Sequence, residues 1–357
     1  MNKILMKNVG SAQHLFLWPG APNDSVMVDF GISSDCLPAP ALCSPCGYYI
    51  PKTIILSHFH SDHYNGLFAL NNSCCIPSGG VENFYYPKMP QILGTNAVSP
   101  LLIELLKAVV TLNIALSFTV SKQLQELYTL LEVLIKRSPN SRISFIPVNT
   151  SSPDICVNSH KIEILWPEAT IDQSLNTQTI SDFLSDFYRL LEQSEAIRVI
   201  NIFVQNLSEQ TRNFQNEFSL TNDLLEAWRR NIIETSVIDG VSLNTALLLH
   251  NKAKDILNQW SIAFRTDDDI LFLGDLNASQ INSVCENINP PYKFDIIVAA
   301  HHGTHKGQRL FGLHTNVTLA SIGRRLRKTL TYQEANPVYI KISNNYRETY
   351  TEGDIMV

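Results

Sequence analysis

The segment Ser57-His58-Phe59-His60-Ser61-Asp62-His63 carries four metal-capable side chains within six residues. It continues Thr53-Ile54-Ile55-Leu56-Ser57, a short apolar run rich in β-branched residues that predicts a buried strand. Along an extended chain the side-chain period is two, so His58 and His60 point to one side and can hold one ion together. A helical turn after Ser61 swings Asp62 and His63 to a second position nearby. Imidazoles with a carboxylate suit Zn²⁺, Mn²⁺ or Fe²⁺. The competing reading is a solvated polar loop. Three of the ten histidines and an aspartate gathered at this spacing weigh against it.

Other strands are predicted on both sides of this segment. Ser25–Gly31 is a strand that ends in Asp29-Phe30-Gly31, and His14–Trp18 is a short one before it. Ile270–Gly274 runs into Asp275, and Phe294–Ala300 runs into His301-His302-Gly303-Thr304. Further strands are expected at Arg142–Val148, Lys161–Trp166, Thr245–His250, Trp260–Arg265 and Val338–Ile342, with a terminal hairpin near Arg347–Val357. A turn is expected over Asn251–Asn258 and a short helix over Ser279–Asn287. Helical spacing of apolar residues marks Ser99–Phe118, Ser121–Lys136 and the stretch from Thr170 to about Thr235, where Phe183, Phe187, Leu190 and Leu191 recur on one face.

These elements together resemble the metallo-β-lactamase superfamily. His58-x-His60-x-Asp62-His63 is similar to its H-x-H-x-D-H signature. Gly274-Asp275 looks like its metal-bridging aspartate, Ala300-His301-His302 its late ligand histidine, and Asp29-Phe30-Gly31 its structural Asp-x-Gly element. The resemblance implies an α/β (α+β) fold, the four-layer αββα sandwich, as one hydrolase domain over 1–357 with helical insertions at about 97–138 and 170–235. It implies two divalent ions, zinc first and manganese or iron as alternatives, held by His58, His60, Asp62, His63, Asp275 and one or both of His301 and His302. Within the superfamily, the late His-His-Gly-Thr version is closest to the hydrolase domain of bacterial competence DNA-uptake proteins. Asn8-Val9-Gly10-Ser11 is similar to that group's opening motif, from which Ala12-Gln13-His14 departs, and Ser242–Leu249 resembles its lead-in to the strand before Gly-Asp. Most superfamily members have a third first-site histidine between the cluster and the bridging aspartate. Here only His160 and His250 lie in that interval.

The implied chemistry is hydrolysis by a metal-bridging hydroxide between ions about 3.5–4 Å apart. Asp62, His301 and His302 are the candidate catalytic residues, and whichever of His301 and His302 is not a ligand is the candidate proton donor. Thr304 is a candidate substrate-binding residue, and His305 lies close enough in sequence to contribute. Ser321-Ile322-Gly323-Arg324-Arg325-Leu326-Arg327-Lys328 is the dense basic run, read either as a cationic helix face with Arg324 and Arg325 on the substrate or as a solvated surface.

Composition bounds the rest. The 357 residues are 45% hydrophobic and only 17% charged, with a net charge of −6. That excludes a globally basic nucleic-acid coat, though not a local basic groove. No apolar stretch is long enough for a transmembrane helix, and the N-terminus lacks a secretory pattern, so the expected location is the cytoplasm. The seven cysteines, with Cys43-x-x-Cys46 as the one CxxC pair, read as reduced thiols rather than a disulfide framework. The expected function is a metal-dependent phosphodiesterase or nuclease acting on a nucleic acid or nucleotide, without membrane association. The alternatives are a hydrolase of a small ester, lactone or amide, and a non-enzymatic module binding a protein partner or a second copy through the helical insertions.

Overall fold

The computed structural model describes residues 2–20, 23–33, 51–66, 81–88, 100–117, 144–169, 173–213, 238–288 and 292–357. The chain is α/β. Contacts divide it into two compact units, one of Met1–Lys88, Arg142–Ile171 and Leu257–Val357, the other of Met89–Ser141 and Asp172–Ile256.

The first unit holds two mixed seven-stranded sheets. Strands β1 (Ile4–Met6), β2 (Leu15–Leu17), β3 (Val26–Val28), β4 (Thr53–Ile55), β5 (Asn83–Pro87) and β6 (Ser144–Val148) form one, joined by the terminal β14 (Ile355–Met356), in the order β14-β1-β2-β3-β4-β5-β6. Strands β7 (Ile155–Val157), β8 (His160–Trp166), β9 (Ala263–Thr266), β10 (Ile270–Phe272), β11 (Tyr292–Val298), β12 (Leu313–Ala320) and β13 (Ser343–Glu348) form the other, in the order β13-β12-β11-β10-β9-β8-β7. Each sheet is half antiparallel and half parallel. The antiparallel half runs from β14 to β3 and from β7 to β10, and the parallel half from β3 to β6 and from β10 to β13.

Parallel strands are covered on both faces and therefore read as unbroken apolar runs. That is why β4 and β11 are legible in the sequence. One buried cluster draws on both sheets, including Ile4, Leu15, Val28, Ile55, Phe264, Phe272, Ile296 and Leu319. A second cluster joins the other face of the second sheet, through Leu271, Phe294 and Ile297, to helices over Ala278–Asn287 and Leu330–Ile342.

In chain order the helices are α1 (Ser61–Tyr64), α2 (Pro100–Ser117), α3 (Gln173–Gln193), α4 (Glu195–Asn213), α5 (Gly240–Gln259), α6 (Ala278–Asn287), α7 (Leu330–Ile342) and α8 (Thr349–Glu352). In the second unit α2, α3 and α4 pack on one another. Buried Leu105, Leu112, Phe183, Phe187, Ile197 and Val204 line these helices, and Thr111 donates a hydrogen bond to Asn201 at 3.3 Å. The expected helix over Ser121–Lys136 lies outside the described residues, as do Cys36, Cys43, Cys46, Cys74 and Cys75. Cys156 and Cys285 are free thiols. Among the described residues no helix is long and apolar enough to cross a membrane.

Several expected elements take another form. Thr245–His250 is not a strand, nor 251–258 a turn: both lie in α5, so the likeness of Ser242–Leu249 to a strand lead-in fails. Asp239 caps this helix, accepting from the amides of Val241 and Ser242, each at 2.9 Å. Ala246, Leu249, Ala253 and Ile256 are buried at helical spacing, while Leu247 and Leu248 are exposed.

Val338–Ile342 is likewise the end of α7. Thr329 caps it, and Tyr332, Ala335, Val338, Tyr339 and Ile342 are buried along it. The strand begins one residue later, at Ser343. The polar Thr and Asn content of β12 hid a strand that is buried for much of its length. The C-terminal segment is no hairpin: α8 intervenes, and β14 pairs with β1.

His14, just before β2, is fully buried, with ring centroids 5.1 Å from Phe16 and 4.5 Å from Phe30. Neither ring nitrogen has a hydrogen-bond partner. Burial, reinforced by the Lys7 cation, lowers its pKa from 6.5 to about 3. The unfolded chain takes up a proton here below about pH 6.5 and the native state does not. The stability His14 contributes is therefore intact above that pH and is lost as pH falls toward 3. By pH 4.5 the loss is about 2–3 kcal/mol. Urea denaturation at pH 7 and pH 4.5 is expected to show that His14→Leu loses less stability on acidification than the wild type by about this amount. Equal losses in the two proteins would refute it.

Candidate metal centre

The ligand-bearing segments all leave the carboxyl ends of strands in the parallel halves, where open α/β sheets place their sites. Asp29 follows β3, Ser57 and His58 follow β4, Asp275 follows β10, and His301 and His302 follow β11. The helix α1, directly after His60, carries Asp62 and His63. Two glycines permit these approaches. A Cβ on Gly31 would stand 1.5 Å from the Asp62 carbonyl oxygen. Gly274 has φ +53°, and a Cβ there would meet the Ser261 hydroxyl at 2.4 Å and the Ile262 carbonyl at 2.5 Å. Beyond Asp275, whose amide donates to Ser261 Oγ at 2.8 Å, a capping box of Asn277 and Gln280 starts α6.

One carboxylate oxygen organises the cluster. Asp275 Oδ2 lies 3.6 Å from Nε2 of His58, 3.5 Å from that of His63, 3.6 Å from that of His301 and 4.0 Å from that of His302. His302 Nε2 is also 3.6 Å from Asp62 Oδ2. These gaps exceed hydrogen-bond length. They approach the separation of about 3.3 Å between donors around a tetrahedral ion with bonds of about 2.0–2.1 Å. Two donor groups converge, His58 with His63 and Asp275, and Asp62 with His63 and His302. His58, His63, His302 and Asp275 are buried.

The other ring nitrogens fix which atom faces the centre. His63 Nδ1 donates to Asp29 Oδ2 at 2.7 Å. The Ser57 hydroxyl donates to Asp29 Oδ2 at 2.7 Å and accepts from His58 Nδ1 at 3.1 Å. His302 Nδ1 donates to the Ser321 carbonyl at 3.1 Å. With Nδ1 committed in each, Nε2 is left for a cation, and the Nε2 atoms of His58, His63 and His302 are buried without a hydrogen-bond partner. Three orphaned imidazole nitrogens and two carboxylates in one place fit a transition-metal ion.

His301 differs. The Leu276 carbonyl can only accept, so His305 Nδ1, 3.0 Å from it, carries a proton, and His301 Nδ1 accepts from the same N–H at 3.1 Å. The proton of neutral His301 therefore sits on Nε2, facing Asp275.

Charge follows from the same contacts. Burial lowers the His58 pKa well below its ordinary value, reinforced by His63. Burial also opposes a charge on His63, but the carboxylates of Asp275 and Asp29 raise it well above. Without a cation, then, His63 holds a proton, which a metal bound at its Nε2 would displace. Burial opposes the charges of Asp275 and Asp62, yet the surrounding imidazoles hold both well below the ordinary carboxylate range. Burial lowers His301 to about 4, so it is neutral at pH 7.

His58 and His60 stand side by side, as expected of an extended segment. His63 joins His58, with ring centroids 4.0 Å apart, while His60 stands 4.5 Å from His58 and outside both donor groups. His160 is not at the centre: it stacks on Trp18 at 4.1 Å and groups with Asp267 and Asp268. His250 lies on α5, in the second unit.

The Thr304 hydroxyl, expected at the substrate, donates to the His301 carbonyl at 2.6 Å. The basic run is no helix face; only Leu326–Lys328 form a 3₁₀ turn. Arg324, Arg325 and Lys328 are exposed there. Arg327 is tied to Glu348 at 3.0 Å and lies over the Tyr350 ring.

Sequence reasoning left Asp29 a general structural role and gave none to Ser57, though both orient ligand rings. Asp29→Asn keeps an acceptor for the Ser57 amide but removes the anion behind His63. Zinc affinity, measured by competition with a chromophoric chelator, is expected to fall about 10–100-fold. Unchanged affinity would show that the carboxylate does not tune the site.

The chain matches no family model and no curated protein.

Proposed function

We propose that the chain is a metal-dependent hydrolase of the metallo-β-lactamase type, a four-layer αββα sandwich that cleaves phosphodiesters in a nucleic acid or nucleotide. The observation that carries this reading is the single Asp275 oxygen ringed by imidazole nitrogens, with the Asp62–His302 pair beside it. Two divalent ions, zinc first and manganese or iron as alternatives, would supply water ionised at neutral pH and positive charge against the attacked group. In this reading His58, His63 and Asp275 would hold one ion, and Asp62 and His302 the other. His301, whose proton His305 keeps on the inward nitrogen, would donate a hydrogen bond to the negative charge that develops on the leaving oxygen.

Two cations match an anionic phosphoryl group better than a neutral ester. Arg324 and Lys328 support this, being exposed on the segment that begins at Ser321, the residue whose carbonyl accepts a hydrogen bond from His302 Nδ1. Arg327 is excluded by its bond to Glu348. A net charge of −6 makes long-range steering of a duplex weak, which favours short or single-stranded substrates.

The test is turnover of labelled oligonucleotides and bis-p-nitrophenyl phosphate with Zn²⁺ or Mn²⁺, alongside nitrophenyl esters and lactones. Phosphodiester cleavage is expected. Neutralising Arg324 and Lys328 is expected to flatten the salt dependence of oligonucleotide binding by about one unit of slope for each phosphate left without its cation. Turnover of esters or lactones alone would replace this reading with a small-molecule hydrolase, and metal binding without any turnover with a partner-binding module.

A further inference from the structure

The turn that delivers His301 and His302 is strained. His301 has φ 48° and ψ 55°, His302 has φ 58° and ψ 21°, and Gly303 has φ 83°. Two successive non-glycine residues in the left-handed region cost about 1–2 kcal/mol each, so surrounding bonds must hold them there. Within the turn, Thr304 bonds back to the His301 carbonyl through its amide at 3.0 Å and its hydroxyl at 2.6 Å. The His301 amide donates to the Gly274 carbonyl at 2.8 Å. The two ends of the turn are joined by one long backbone bond, from the His305 amide to the Ala300 carbonyl at 3.4 Å, and by a single atom of another element. Tyr339 Oη, on α7, accepts from the Ala300 amide at 3.0 Å and donates to the His305 carbonyl at 2.7 Å.

Tyr339 is fully buried, in the apolar cluster that contains Leu273, Ile297 and Ala300. A buried phenol needs a partner for its hydroxyl. A phenylalanine would fill the same apolar space, so packing alone does not call for the oxygen. Its two bonds are shorter than the 3.4 Å backbone bond that joins the same two residues, and so tie residues 300–305 more firmly, with His301 and His302 inside the loop.

We propose that Tyr339 is a positioning residue that clamps this turn in its left-handed form, keeping His302 Nε2 on the metal position and His301 Nε2–H toward Asp275. The proposal rests on the metal-centre reading above.

The experiment uses full-length wild type and Tyr339→Phe, with Co²⁺ titration followed by visible absorption and by bound-metal analysis, and with circular dichroism and metal-free melting as folding controls. Wild type is expected to bind two equivalents. Tyr339→Phe is expected to stay folded and bind the first equivalent as the wild type does. Its second equivalent is expected to bind about 10–100-fold more weakly, with an altered d–d envelope. In the Tyr339→Phe background, His301→Gly is expected to restore much of the second-site affinity, because glycine adopts the left-handed conformation without strain.

Identical titrations for wild type and Tyr339→Phe overturn the proposal, as does a loss at both sites that His301→Gly leaves unchanged. A Tyr339→Phe chain that fails to fold also overturns it, since the hydroxyl would then support the whole core rather than the turn. A wild type that binds no Co²⁺ sinks the metal centre itself and this proposal with it.

Discussion

Asp275→Asn is expected to abolish metal-dependent turnover, by at least about 10³-fold, and to remove most bound zinc. The carboxylate oxygen that His58, His63 and His301 surround becomes half of a neutral amide. The same oxygen also lies 4.0 Å from His302 Nε2, so one carboxylate faces four imidazoles, whereas His63 is the side chain common to the two donor groups. The loss should be one of the site and not of the fold. Metal-free wild type and variant are expected to melt at similar temperatures. A ligand that binds only the native state stabilises by about 2.7 kcal/mol at a hundredfold excess over its Kd, and the variant should forfeit that zinc-dependent rise. Metal analysis, turnover and melting with and without zinc test this together. Full activity in Asp275→Asn would rule out the bridging carboxylate.

Gly31→Ala should damage the centre from behind. The added Cβ would sit 1.5 Å from the Asp62 carbonyl oxygen, 2.3 Å from its carbon and 3.0 Å from the His63 amide. All three are backbone atoms, so no side-chain rotation relieves the clash. The peptide carrying two ligands must move by an ångström or more. That movement would disturb the bonds from the Gln13 amide to the Asp62 carbonyl at 3.1 Å and from the Phe30 amide to the His63 carbonyl at 2.7 Å. Overpacking of this kind costs about 1–3 kcal/mol or more. A ligand displaced by about 1 Å costs roughly 10²-fold in rate. The matched control is Gly240→Ala, where a Cβ would meet nothing within 4 Å. Melting temperature and zinc stoichiometry should both fall in Gly31→Ala and hold in Gly240→Ala. Equal behaviour of the two variants would show that Gly31 is not a close-approach position.

What the amino-acid sequence determined by itself was the set of ligand-capable residues and the strands that deliver them. The runs before His58, Asp275 and His301 are apolar without alternation because those strands are covered on both faces, and a ligand directly after such a run falls at a strand end. The α5 and α7 segments resemble strands in sequence because a short apolar run such as Thr245–His250 or Val338–Ile342 satisfies both periods. Only the caps at Asp239 and Thr329, with packing on one side, select the helix. β12 escaped notice because its threonines and asparagine are matched by tertiary contacts, such as Thr315 to the Asp295 carbonyl at 3.1 Å.

The hydrogen bonding of each ring in the site is set by tertiary structure alone. His301 and His302 are adjacent and chemically identical. What separates them is a carbonyl behind each, that of Ser321 at the His302 Nδ1 and that of Leu276 acting through His305. Every residue carries such a carbonyl, so side-chain identity holds no trace of which one will lie behind a ring. The need for glycine at position 31 likewise arises only when the Asp62–His63 peptide is laid against it. Sequence names the donors; the arrangement of backbone groups around them sets which nitrogen keeps its proton and which is left for a cation.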